Sequence, residues 1–235
     1  MRWSILIASL VIFIGTNSFS TPAQVVIIRH GEKPETGNEL NQRGCERAYS
    51  LPQFFQTNTI VNQFGKPAAI YAQAPDTKSP TWRPVQTVVP TASAMNLKVF
   101  DPLPKDQPQT LVQQIDSNAS LNGQTVIISW EHNAIPDLAH AFGLNLNSQI
   151  QNWPDFVFDQ AWVLSLTNQN VGLQIIPENI LPQDNPLGGL EHWSSPPPYA
   201  TDTNTLSQSI ISTCVDNGAL NSLAESVAVP SLPKE

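Results

Sequence analysis

The sequence predicts an α/β fold, a three-layer α/β/α sandwich around a mostly parallel sheet, with a hairpin and a helix at its C-terminal end. Short continuous apolar runs at Gln24–Ile28 (QVVII), Ala68–Ala72 (AAIYA) and Thr125–Ser129 (TVIIS) suit strands buried on both faces. Helix-like stretches alternate with these runs, which is the pattern of a parallel sheet. A hydrophobic content of 40% in 235 residues is enough for one sizeable core.

In chain order, Leu40 to Phe64 reads as helical, with Pro52 kinking the helix or opening a second one. Pro84 to Met95 reads as a helix with Pro84 in its first turn and Pro90 as a kink. Leu97 to Phe100 reads as a short strand, Thr110 to Ile115 as part of a helix, and Ile135 to Phe142 as a helix closed by Gly143. Ala161 to Leu166 and Val171 to Ile176 flank Thr167-Asn168-Gln169-Asn170, which reads as a hairpin turn. Residues 182–202 hold Pro186 and Pro196-Pro197-Pro198 and read as a loop. Leu206, Ile210, Ile211 and Cys214 fall at helical spacing, and 228–235 reads as a frayed tail. One domain is therefore expected over 21–227.

The first twenty residues read as a targeting segment. Met1-Arg2-Trp3 is a short positive start, and Ser4 to Gly15 is apolar but too short to span a bilayer alone. Ser18 and Ser20 put small residues where a signal peptidase needs them for a cut before Thr21, and a cut after Ala23 is the alternative. Export to the periplasm or the medium is the expectation, with no membrane association after the cut. In an oxidising compartment Cys45 and Cys214, the two cysteines of the chain, are able to pair, and the sequence alone leaves that pairing open.

Charged residues make up only 13%, and 19 Asn with 19 Gln outnumber the 30 charged residues. Without Arg2 the chain carries 10 basic against 19 acidic residues, which argues against nucleic-acid binding and against anionic lipid. After Lys105 the next basic residue is Lys234, with twelve acids between them. Any anion site must draw its cations from the first half.

Those cations fall at strand ends. Gln24–Ile28 runs into Arg29-His30-Gly31-Glu32-Lys33-Pro34, where a parallel sheet places its sites, and Gly31 lets the backbone turn tightly there. Thr125–Ser129 runs into Trp130-Glu131-His132-Asn133, and Arg83 opens the helix after Ala68–Ala72. Two imidazoles and two guanidiniums on one rim suit a tetrahedral dianion, since the planar Arg fork makes two parallel charge-assisted hydrogen bonds. No zinc-type cysteine spacing and no His–carboxylate metal cluster is present, so the sequence carries no signal for a metal or another cofactor.

Four blocks of this sequence resemble the histidine phosphatase superfamily, also called phosphoglycerate mutase-like: RHGEKP at 29–34, LNQRGCERAYSL at 40–51, TWRPVQTVVPTA at 81–92 and SWEHNAIPDLAHAFG at 129–143. They stand in the family's order and cover roughly residues 24–166. The resemblance implies that His30 attacks phosphorus and becomes a phosphohistidine. It implies that Arg29, Arg83 and His132 hold the phosphoryl oxygens, and that water then releases phosphate without a metal.

The departure is the proton donor. Some members carry Asp directly after the second His, where this chain has Asn133. Glu131 and Asp106 are the leading candidates for the acid, followed by Asp101, while Lys33 adds a charge at the rim. The chain so reads as an exported, histidine acid phosphatase-like phosphoric monoester hydrolase acting on a small-molecule phosphate ester. The rival readings are a phosphoglycerate-type mutase and a non-catalytic binder of phosphorylated ligands. Substrate identity and oligomeric state are not legible.

Overall fold

The computed structural model describes residues 21–145, 152–167 and 170–185. Its elements are β1 (Gln24–Arg29), α1 (Gln42–Thr57), β2 (Ala69–Ala72), α2 (Arg83–Met95), β3 (Val99–Phe100), α3 (Pro108–Asp116), β4 (Thr125–Trp130), α4 (Ile135–Ala141), β5 (Gln160–Ser165) and β6 (Gly172–Pro177). One sheet runs β3-β2-β4-β1-β5-β6. The first four of these strands are mutually parallel, and β5 pairs antiparallel with both β1 and β6.

The α/β expectation holds, and burial explains why the apolar runs are continuous. Every residue of β1 and of β4 is buried, because helices cover both sheet faces. Val25, Ile27, Val126 and Ile128 pack with Leu111 and Ile115 of α3 and Leu138 of α4. Val26, Ile28 and Ile127 pack with Leu51 and Phe55 of α1 and Val85 and Val88 of α2. Each such buried side chain contributes about 1.5–3 kcal/mol, so the central strands are the most firmly held part of the molecule.

Element ends follow from local chemistry. The Asn41 side chain accepts the Gly44 amide at 2.9 Å and caps α1, which passes through Pro52 without dividing. The expected extension to Phe64 does not occur. Asn58 leaves the helix at ψ 120°, and its side-chain oxygen accepts from the Ile60 and Val61 amides, which turns the chain. Gly143 takes φ +95° after α4, where its amide bonds to the His140 carbonyl and the Leu144 amide to that of Ala139.

The hairpin is present as β5–β6, with Asn168 and Gln169 of its turn outside the described residues. Cys45 is buried and disulfide-bonded. The expected leader 1–20, most of the Pro-rich loop, the helix around Leu206–Cys214 and the tail all lie outside the described residues.

Candidate active site

The strand order creates the site. α1 follows β1 onto one sheet face, while α4 follows β4 onto the other, although the two strands are neighbours. Their carboxyl ends therefore open a crevice between diverging chains, which is where open α/β sheets bind ligands. The His30 amide donates to the Trp130 carbonyl at 3.2 Å and pins the two ends together.

His30 is 2% exposed. Its Nδ1 lies 2.7 Å from the Gly31 carbonyl oxygen, which only accepts, so Nδ1 carries the proton and Nε2 keeps its lone pair. Burial first, then the charges of Arg29, Arg83 and His132, push His30 well below the ordinary histidine range, while the bond to Gly31 pulls the other way. The ring is consequently neutral at pH 7, the form in which an imidazole is nucleophilic.

The turn after His30 is narrow for a reason other than backbone angle. Gly31 is absent from the positive-φ residues, but a Cβ there would sit 2.9 Å from the Gly44 oxygen. A Cβ on Gly44 would sit 2.3 Å from the Glu32 oxygen. The two glycines let the loop lie directly on α1, and the Gly31 amide donates to Thr87 Oγ1 of α2 at 2.8 Å.

Arg29 is 1% exposed and held by the segment before β5. Its Nη1 donates to the carbonyls of Asp155 at 2.6 Å and Val157 at 2.9 Å, with that of Pro154 at 3.4 Å. Its guanidinium carbon stands 3.7 Å from the centre of the Phe158 ring, a cation–π contact. Burial pushes this guanidinium below its usual range against the pull of Glu32, Asp155 and Glu131. Arg83 opens α2 and donates from Nη1 to the Gly37 carbonyl at 3.1 Å, and burial lowers it as well.

His132 sits two residues past the end of β4, in a short 3₁₀ turn (His132–Ala134). Its Nε2 lies 2.7 Å from Asp155 Oδ1, and its Nδ1 lies 3.3 Å from Glu131 Oε1. Burial and then Arg29 push His132 down, opposed by the two carboxylates. Arg29 Nε and Nη2 and Arg83 Nε are buried donors without a hydrogen-bond partner. Each buried unpaired donor costs about 1–3 kcal/mol, and an oxyanion is the ligand that satisfies several at once.

Of the residues singled out by sequence, Arg29, His30, Arg83, His132 and Glu131 act on one another electrostatically. Glu131 also accepts from Asn133 Nδ2 at 3.0 Å and lies 3.4 Å from Lys105 Nζ. The β4 ladder ends at Trp130, so the strict in–out alternation of a strand no longer constrains Glu131. Asp106 has a 58% exposed side chain, and its carboxylate is 3.8 Å from Lys78. Asp101 is half-buried, and burial raises it. Lys33 is exposed. The sequence reading missed Asp155, which lies in no motif, and Phe158. It also missed Arg47, whose partners lie up to 137 residues away.

Several solved structures are similar to this one. A mycobacterial glucosyl-3-phosphoglycerate phosphatase in complex with inorganic phosphate is 15% identical at TM-score 0.43, covering 65% of this chain and 95% of that chain. A phosphoglycerate mutase from Bacillus anthracis is 9% identical at TM-score 0.47, covering 67% and 94%. An alpha-ribazole phosphatase from Shigella flexneri is 10% identical at TM-score 0.47, covering 66% and 96%. These neighbours are histidine phosphatase superfamily members. No family model and no curated protein matches the chain.

Proposed function

We propose that this chain is a phosphatase of the histidine phosphatase superfamily that hydrolyses small phosphate monoesters through a phosphohistidine on His30. The observation that carries the reading is a buried neutral imidazole with a lone pair on Nε2, beside buried Arg29 and Arg83 donors that no protein acceptor satisfies. In the first step the Nε2 lone pair forms a bond to phosphorus and the ester P–O bond breaks. Arg29, Arg83 and His132 neutralise the equatorial oxygens as charge spreads over them. The leaving alkoxide takes a proton from an acid, for which Glu131 is the first candidate through its position beside His132, with Asp106 and Asp101 behind it. Water then attacks phosphorus, the P–N bond breaks, and inorganic phosphate leaves. No step requires a metal.

The proposal includes export, supported by the leader-like residues 1–20 and by a disulfide-bonded Cys45. A second reading, a binder of phosphorylated ligands without turnover, is favoured by one feature. Asn133 stands where an acidic donor follows the second His in some members. One experiment separates them. The mature chain, whose N-terminus is expected at Thr21 by intact mass, is incubated with p-nitrophenyl phosphate and quenched in base. Turnover with an acid-labile phosphate that His30→Ala abolishes supports hydrolysis. Phosphate affinity without release would establish the binder, and phosphoryl transfer to an added polyol or glycerate in place of release would establish a mutase.

A further inference from the structure

The segment between α4 and β5 carries a residue that touches two of the three groups assigned to phosphate binding, Arg29 and His132. Trp153 anchors the segment: its ring stacks on Trp162 of β5 with centroids 5.6 Å apart, and its Nε1 donates to the Val157 carbonyl at 2.8 Å. The Val157 amide closes the turn by donating to the Pro154 carbonyl at 3.1 Å. Between these anchors, the Asp155 backbone carbonyl accepts from Arg29 at 2.6 Å and its carboxylate accepts from His132 Nε2 at 2.7 Å. The Asp155 side chain is nevertheless 85% exposed, so it fills no space in the core.

We propose that Asp155 is a positioning residue that acts through His132, fixing its ring by the bond from Nε2 and favouring the imidazolium, so that Nδ1–H becomes available to a phosphoryl oxygen when a dianion enters the pocket. The inference rests on the phosphatase reading for its purpose, and on the Asp155–His132 contact for its substance. A neutral ring that donates Nε2–H to Asp155 has only a lone pair left at Nδ1, which repels an oxyanion. The charged ring donates at both nitrogens. The groups that face His132 are Arg29 from β1, which disfavours the charge, and Glu131 and Asp155, which favour it. His30 feels the His132 charge, Lys105 contacts Glu131, and Lys33 acts on Asp155. Asp155 supplies the shorter of the two carboxylate contacts.

The test is a pair of titrations of wild type, Asp155→Asn and Asp155→Glu. Asn keeps an acceptor oxygen and the side-chain shape but loses the charge. In the free protein, the His132 ring is followed by NMR, with its signal assigned by difference from a His132→Asn variant. An opposite charge at contact distance moves a pKa by about one unit or more, so the midpoint in Asp155→Asn is expected lower by about one pH unit, with Asp155→Glu restoring most of it. In turnover of p-nitrophenyl phosphate, the alkaline limb of kcat/KM is expected to move to lower pH by the same amount. An unchanged His132 midpoint in Asp155→Asn would overturn the proposal. So would tighter inorganic phosphate binding with an unmoved pH profile, since Asp155 would then be a competitor for the pocket. The ring titration needs no catalysis, so a chain that fails to hydrolyse phosphate esters would sink the phosphatase reading and leave this pairing to be judged by its own measurement.

Discussion

At the position of Arg29, charge, planarity and burial all act together. The guanidinium spends one nitrogen on backbone carbonyls and one face on Phe158, which leaves Nε and Nη2 fixed in direction without a protein acceptor. A lysine at either Arg29 or Arg83 keeps the charge but replaces the fork by a point charge on a flexible stem. A charge-assisted hydrogen bond is worth roughly 1.5–3 kcal/mol and about 1.4 kcal/mol is tenfold in rate. Arg29→Lys and Arg83→Lys are each expected to lower kcat/KM on p-nitrophenyl phosphate by tenfold or more. Unchanged kinetics in either variant would take that arginine out of the pocket.

At the scale of elements, the decisive contact is between the β1–α1 loop and the first turn of α1. Gly31 and Gly44 face each other across a gap with no room for a side chain, and Thr87 of α2 receives the Gly31 amide. The same Thr87 donates to the Arg83 carbonyl, so the His30 loop and the Arg83 helix end share one hydroxyl. A methyl at Gly44 would meet the Glu32 backbone, which has no flexible end to move aside. Gly44→Ala is expected to cost about 1–3 kcal/mol or more in urea unfolding and to lower kcat as well, because the loop that shifts carries His30. A Gly44→Ala protein with wild-type stability and activity would show that the loop does not rest on α1 as described.

Over the whole molecule, a buried ionic cluster ties the site to the end of the sheet. Arg47 of α1 is fully buried and pairs with Glu32 of the His30 loop, and with Glu178 and Asp184 after β6, each at 2.8 Å. Arg43 adds contacts to Glu32 and Asp184, so two cations face three carboxylates. The imbalance falls on Glu178, which burial drives well above the ordinary carboxylate range despite Arg47, while the bonds from Arg47 hold Asp184 below it. The folded state therefore keeps the Glu178 proton more tightly than the unfolded chain does. Its destabilising effect is absent below the ordinary value and grows as pH rises towards the folded one. The stability of Glu178→Gln relative to wild type, read from urea midpoints, is expected to rise from about pH 5 to about pH 8. A difference constant over that range would mean that Glu178 does not titrate there.

The sequence by itself determined the elements whose signals are local. Continuous β-branched runs announced β1, β2 and β4, and the strand-end positions of Arg29, His30 and His132 announced a site, because ligand sites of open parallel sheets lie outside the carboxyl ends of their strands. The Gly after α4 was equally legible, since its left-handed conformation is a property of one residue. Other features were settled only in three dimensions. The halt of α1 at Thr57 depends on the Asn58 side chain outbidding a helical pattern that continues to Phe64. The insertion of β4 between β2 and β1, which gives the crevice its two walls, is a matter of strand order that no stretch of sequence encodes. Asp155 and the Arg47 cluster were invisible for the same reason. Their meaning lies in partners 15 to 137 residues distant, and charge pairing is set by distance in space, which residue spacing along the chain does not reveal.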